Sequence, residues 1–182
     1  GVTGSGKTEL YMEMIAHVTA QGKQAIMLIP EISLTYQTVM RFYARFGERI
    51  CVMHSRLSAG ERYDQFERAR RGDTEIMIGA RSALFTPFAR LGLIVIDEEH
   101  EGAYQSEGAP RYHAREVAQQ LARMHEAQLV LGSATPSIEA YSRARAGLYR
   151  LFSLKSRANA KSVPAATVIV DLRREMEDGN KS

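Results

Sequence analysis

A single cysteine, Cys51, is all the thiol chemistry this chain possesses. That excludes an internal disulfide and a thiolate zinc site, and it fits a reducing, cytoplasmic setting. Long apolar runs are missing too: nothing approaches the roughly 20 residues needed to cross a bilayer, so no membrane partner is expected. The first residues are glycine-rich and polar, so no secretory leader is expected. There is no internal repeat and no low-complexity segment. Charge of one sign is also scarce, since 24 Lys and Arg stand against 21 Asp and Glu for a net +3. Such a balance neither announces nor excludes a nucleic-acid partner. The 182 residues, 45% hydrophobic and 25% charged, have the composition of a globular domain with a sizeable core.

Helical and strand-like stretches alternate along that chain. Glu9 to Gln21 carries apolar residues at Leu10, Met14 and Val18, flanked by Tyr11 and Ile15, and stops at Gly22; it reads as a helix. Further helices are predicted from a Ser33 cap with a face of Val39, Phe42, Tyr43 and Phe46, from Ser58 to Arg71, from Ala114 to His125, and from a Thr135 cap with Pro136 towards Ala146. Ser58 and Glu61 have capping-box spacing. Short apolar runs at 24–29, 50–53, 75–78, 93–96 and 129–131 read as buried strands. Alternation of this kind implies an α/β fold, a mostly parallel sheet with helices on both faces. Residues 155–165 read as a linker, Val168 to Val170 as a further strand start, and the chain divides into 1–154 and 155–182.

Gly1-Val2-Thr3-Gly4-Ser5-Gly6-Lys7-Thr8 fits the P-loop pattern G-x-x-x-x-G-K-[ST]. Glycines let the backbone curl until several N–H groups face phosphate oxygens, and the helix that follows presents its positive end to the anion. Lys7 adds charge at the β- and γ-phosphates and the Thr8 hydroxyl can ligate magnesium, so ATP and Mg2+ are the expected ligands. Some 90 residues on, Leu93-Ile94-Val95-Ile96 runs into Asp97-Glu98-Glu99-His100. A buried strand ending in carboxylates beside a phosphate loop is the Walker B arrangement. Asp97 is then the magnesium partner and Glu98 the base that orients and deprotonates water, which favours hydrolysis over kinase chemistry.

Asp-Glu-x-His resembles the DEAH-box signature of superfamily 2 helicases, in which His100 would couple the nucleotide to the strand track. Gly132-Ser133-Ala134-Thr135 resembles helicase motif III, with Ser133 and Thr135 linking the acidic box to nucleic acid. Leu28 to Thr35 resembles motif Ia, and Gly79 to Phe85 motif Ib, where Arg81 and Ser82 suit phosphate contacts. After the acidic box, Tyr104, Arg111, Tyr112 and Arg115 combine aromatics with arginines in a polar loop that could stack on bases and grip phosphates. Packing of both tyrosines on the sheet, and a surface or interdomain ion pair for Arg81, remain open alternatives. His17, His54 and His125, Cys51, and the basic face of Arg62, Arg68, Arg70 and Arg71 are assigned no function.

The segments GVTGSGKTE, IPEISLT, GARSALF, DEEH, RYHAR and LGSATPS together resemble the replication-restart DNA helicases, the primosomal protein N′ (PriA) family, across nearly all 182 residues. Gln105 stands where members commonly carry lysine. The resemblance implies a RecA-like first motor lobe of an ATP-dependent 3′-to-5′ helicase and translocase. Single-stranded and forked DNA, primosome and restart proteins and a second motor lobe would be its partners, in a bacterial, nucleoid-associated location. Zinc is expected only in a part of such a protein outside this sequence. The strand that precedes a P-loop is likewise expected to be missing, so the isolated 182 residues would turn over ATP negligibly. Another superfamily 2 DNA or RNA translocase, or a non-catalytic nucleotide-binding remnant, remain as alternatives.

Overall fold

The computed structural model describes residues 6–154. The expected strand at Val168 to Val170 and the linker at 155–165 lie outside them. Five short strands form one sheet: β1 (Gln24–Leu28), β2 (Ile50–Met53), β3 (Ile76–Gly79), β4 (Leu91–Ile96) and β5 (Gln128–Leu131). Their spatial order is β2-β3-β1-β4-β5, and all four pairings are parallel. Parallel neighbours require crossovers over the faces of the sheet, supplied by helices α1 (Lys7–Ala20), α2 (Tyr36–Phe46), α3 (Ala59–Arg71) and α4 (Ala114–Met124), with α5 (Ile138–Arg145) after the last strand.

The two-residue period of the strands sorts the core. Ile26, Leu28, Ile94 and Ile96 pack with Ala69 of α3 and with Ala114 and Ala118 of α4. Their neighbours Ala25, Met27, Leu93 and Val95 pack with Tyr11, Met12, Ile15 and Val18 of α1 and with Phe42 and Phe46 of α2. Every residue of β1, β3 and β4 is buried, which is why these strands read as continuous apolar runs. Each fully buried aliphatic side chain contributes about 1.5–3 kcal/mol. The expected α/β architecture, with helices on both faces, is therefore found.

Local details differ where distant contacts intervene. The Ser58–Glu61 capping box forms, with Glu61 N–H donating to Ser58 Oγ at 3.2 Å and Ser58 N–H to Glu61 Oε2 at 2.8 Å. Ser33, expected to cap α2, instead ends a 3-10 turn over Glu31–Ser33. Its carbonyl accepts the Thr38 hydroxyl at 3.1 Å, and Thr35 takes over the cap, accepting from Thr38 N–H at 3.2 Å. Likewise Thr135 does not cap α5; Ser137 does, accepting from Ala140 N–H at 3.2 Å. Leu10 and Tyr43, expected on buried faces, are 45% and 38% exposed, and Met12 fills the core in place of Leu10.

Candidate functional site

The carboxyl ends of β1 and β4 and the start of α1 meet at one place. Asp97 N–H donates to Leu28 O at 2.9 Å, extending the β1–β4 ladder by one bond before the chain turns. Of the expected phosphate loop, Gly1, Val2, Thr3, Gly4 and Ser5 lie outside the described residues. Gly6 has φ 81° and leads into α1 with no side-chain cap, leaving the helix N-terminus to its backbone donors. Lys7 and Thr8, both half-buried, form the first turn. The Lys7 ammonium lies 2.5 Å from Glu98 Oε1 and 3.9 Å from Asp97 Oδ1. Residues 91 positions apart in sequence thus share one ion pair.

The two carboxylates are tuned in opposite directions. Burial raises the Asp97 pKa above the ordinary value, and the Glu98 charge raises it further; attraction to Lys7 and the Tyr11 hydroxyl offset this only in part. Burial also pushes Glu98 upward, yet the Lys7 hydrogen bond and charge and the Ala134 N–H outweigh it, so Glu98 ends below the ordinary value. Its Oε2 accepts from Ala134 N–H at 3.4 Å. A carboxylate held as the anion beside a cation is a hydrogen-bond acceptor in waiting.

Motif III closes over this pair. Glu99 N–H donates to Gly132 O at 3.0 Å. His100 Nδ1 and Ser133 Oγ are 2.8 Å apart, and His100 Nε2 and Thr135 Oγ1 3.4 Å. His100, Ser133 and Thr135 are therefore brought together beside Glu98.

Two residues that sequence reasoning passed over, Tyr11 and Glu99, and one that it placed in the exposed loop, Arg115, complete the centre. The Tyr11 hydroxyl, four residues after Lys7 on α1, donates to Asp97 Oδ1 at 3.1 Å. Burial, then the Asp97 charge, drives its pKa well up, so it stays a donor. Glu99, third of the acidic quartet, is 2% exposed. It accepts from Ser137 N–H at 2.7 Å, Ser137 Oγ at 3.0 Å and Arg115 Nη1 at 3.3 Å. Arg115, read as a phosphate-gripping loop arginine, is instead a buried residue in the first turn of α4. The only signals available were the helical i+4 spacing of Lys7 and Tyr11 and the repetition of glutamate in the quartet.

The expected nucleic-acid residues divide. Tyr104 cannot stack on a base, being 1% exposed; its hydroxyl donates to the Asp97 carbonyl at 2.7 Å, which ties the loop after the acidic box to the end of β4. Arg81 does not extend into solvent as a free cation. Its Nη1 donates to Ala103 O at 3.2 Å and to Gln105 O, and its guanidinium sits 5.4 Å from the centre of the Tyr112 ring. Tyr112 meets Phe85 edge to face at 5.4 Å, while Ser106 N–H donates to Tyr112 O at 2.8 Å. Arg111 and Ser82 are exposed. Pro30, Glu31, Arg81, Ser82 and Tyr112 line one cavity of about 210 Å³, where segments Ia and Ib and the loop come together. Cys51 is buried as expected. The basic face of α3 is spent locally, with Arg70 and Arg71 on Glu67 and Arg68 on the Glu48 carbonyl.

Comparison with known proteins shows which family this chain resembles. The family model described as DEAD/DEAH box helicase matches residues 1–144. Over all of its 182 residues the chain is 54% identical to replication restart protein PriA of Bacillus subtilis (strain 168), covering 22% of that protein. It is 48% identical over 178 residues to replication restart protein PriA of Chlamydia pneumoniae, which is 97% of this chain and 24% of the relative. The chain thus spans about a quarter of the length of these relatives. Among solved structures, RecG bound to a three-way DNA junction aligns with TM-score 0.55 and 21% identity, over 80% of this chain and 18% of that one. The Hef helicase domain of Pyrococcus furiosus aligns with TM-score 0.54 and 22% identity, over 74% of this chain and 28% of that one. At those identities the likeness bears on the fold alone.

Proposed function

Because this chain belongs to the DEAD/DEAH box helicase family, we propose that it is the ATP-binding motor lobe of a replication-restart DNA helicase. The intact protein would couple ATP hydrolysis to 3′-to-5′ movement on single-stranded and forked DNA and work with primosome proteins. The observation that carries this reading is the convergence of Lys7, Asp97 and Glu98 with the motif III turn. The residues fit ATP with magnesium: an uncapped helix start behind a left-handed glycine faces a lysine and two carboxylates. Thr8 and Asp97 would hold the ion, and the bound ion would neutralise charge on the phosphates.

Lys7 has two competing partners in this scheme. Moving the ammonium onto phosphate oxygens breaks its 2.5 Å contact with Glu98. The carboxylate loses the charge that holds its pKa down, and becomes free to accept a proton from water. Tyr11 keeps Asp97 oriented meanwhile. His100, joined to Ser133 and Thr135, would relay the state of this centre to the turn and cavity that face the strand. Hydroxyls, backbone donors and Arg81 around that cavity suit contacts to phosphates, without sequence readout.

The test is ATP turnover by the intact protein with forked DNA, single-stranded DNA and RNA. Lys7→Ala and Glu98→Gln should each lower DNA-stimulated turnover by at least 100-fold. Wild-type rates in either would refute the site, and stimulation by RNA in preference to DNA would assign a different translocase.

A further inference from the structure

We propose that Glu99, clamped by Arg115 and Ser137, is a positioning residue that holds Glu98 against Lys7 and ties it to the helix after the exposed loop. The proposal rests on the reading of Glu98 as the group that activates water.

Glu98 has φ 44°, one of two non-glycine residues with positive φ among the described residues. An L-residue holds that conformation only where its surroundings enforce it. The enforcement comes from the next residue. Glu99 N–H is bound to Gly132 O at 3.0 Å, and its side chain is only 1% exposed. The carboxylate takes three hydrogen bonds, from Ser137 N–H, Ser137 Oγ and Arg115 Nη1. Arg115 Nη1 also donates to Ser137 Oγ at 3.0 Å, closing a triangle. A buried ion pair is a poor way to gain stability, because its desolvation offsets its attraction, while its geometry is directional.

What the triangle orients can be read from the elements it joins. Ser137 caps α5, at the end of the turn that begins at Ser133. Ala134 N–H in that turn is bonded to Glu98 Oε2, so the position of Ser137 sets where Glu98 finds its donor. Arg115 lies in the first turn of α4, just after the loop that carries Arg111 and Tyr112, whose ends are joined by a Gln105–His113 bridge. A shift of that loop would move Arg115, and with it Glu99 and the backbone on which Glu98 is mounted. Tyr104 binds the loop to Asp97 on the other side. DNA on the loop would thus act on the base through a side chain that touches neither ligand.

Glu99→Gln keeps the shape and removes the charge; Arg115→Met removes the partner. In the intact protein each should lower kcat for DNA-stimulated ATP hydrolysis at least 10-fold, with KM for ATP and the affinity for a fluorescent ATP analogue within twofold. The double variant should be no slower than the slower single, since both break one unit. Arg115→Lys should recover several-fold of the loss. If Glu99→Gln and Arg115→Met melt as wild type and keep kcat within twofold, or if kcat and KM change together and multiply in the double variant, the positioning role is wrong. Should either fail to fold, Ser137→Ala carries the test, because it keeps the ion pair and removes the hydroxyl that donates to Glu99, accepts from Arg115 and caps α5. A threefold loss of kcat at constant KM is expected there, and an unchanged kcat overturns the proposal. Glu98→Gln is assayed in parallel. Wild-type turnover in that variant refutes the water-activation reading and the positioning role with it. Turnover lost in Glu98→Gln but kept in Glu99→Gln refutes the positioning role alone.

Discussion

The Tyr11 hydroxyl stands where a side chain on Gly132 would begin: a Cβ at that glycine would lie 1.6 Å from the oxygen and 2.7 Å from the ring carbon bearing it. The same hydroxyl donates to Asp97, so it cannot swing aside without loosening that carboxylate. Gly132→Ala should therefore overpack the junction of α1, β4 and β5 and destabilise the fold by about 1–3 kcal/mol. Adding Tyr11→Phe should return part of that loss, because the nearest atom is gone. Urea unfolding of wild type and the two variants measures both effects, and a Gly132→Ala midpoint equal to wild type would show that the contact is absent.

Burial of the Asp97 carboxylate costs stability. Its pKa is raised by burial, so the folded state binds the proton more tightly than the unfolded chain. Stability then falls as pH rises from the unfolded value near 3.8 through the raised folded one. The loss grows until pH has passed that raised value. Asp97→Asn should consequently melt higher than wild type at pH 7 without nucleotide, and the gap should narrow as pH falls through the raised pKa. ATP turnover in the same variant should be lost. A lower melting temperature for Asp97→Asn at pH 7 would contradict the burial argument.

His113 caps α4 through Nδ1, which accepts from Arg115 N–H at 3.1 Å. A nitrogen that accepts carries no proton, so the cap requires the neutral ring. Burial and then the Arg115 charge lower its pKa below 6.5. Protons consequently favour the unfolded chain, and stability should drop as pH falls from about 6.5 through the lowered folded value. Replacing His113 by Asn, which caps without titrating, should flatten that part of the stability profile; an unchanged slope would rule His113 out as its source.

Tyr104 and Tyr112 should separate cleanly. Tyr104→Phe removes the donor to the Asp97 carbonyl and should destabilise by about 1–3 kcal/mol, while affinity for single-stranded DNA stays within twofold. Tyr112→Ala, on the side shared with Arg81 and Phe85, should weaken that affinity several-fold with little change in melting. Fluorescence anisotropy with a labelled oligonucleotide decides between them, and a DNA-binding loss in Tyr104→Phe alone would reverse the assignment.

Much of this was legible from local pattern. The strands are apolar runs because both sheet faces are covered, and that burial is written residue by residue in β1, β3 and β4. The Ser58–Glu61 box could be read because its two partners are three residues apart. Ser33 and Thr135 were misleading as caps for the opposite reason. Each is a suitable residue at a suitable position, but Ser33 is taken up in a 3-10 turn that leaves Thr35 at the start of α2, and the Thr135 hydroxyl faces His100 while Ser137 stands at the start of α5.

By itself, then, the sequence determined the α/β class, the order of the motifs and the residues that carry charge to the site, because those depend on spacing along one strand or one turn of helix. Only the tertiary structure decided what Glu99, Arg115, Tyr11 and Tyr104 do. Glu99 finds Arg115 16 residues on and Ser137 38 residues on, and Tyr11 finds Asp97 across 86 residues. No periodicity encodes such meetings, since they exist only once parallel strands bring their carboxyl ends to one edge and a buried polar group must take whichever partner stands there.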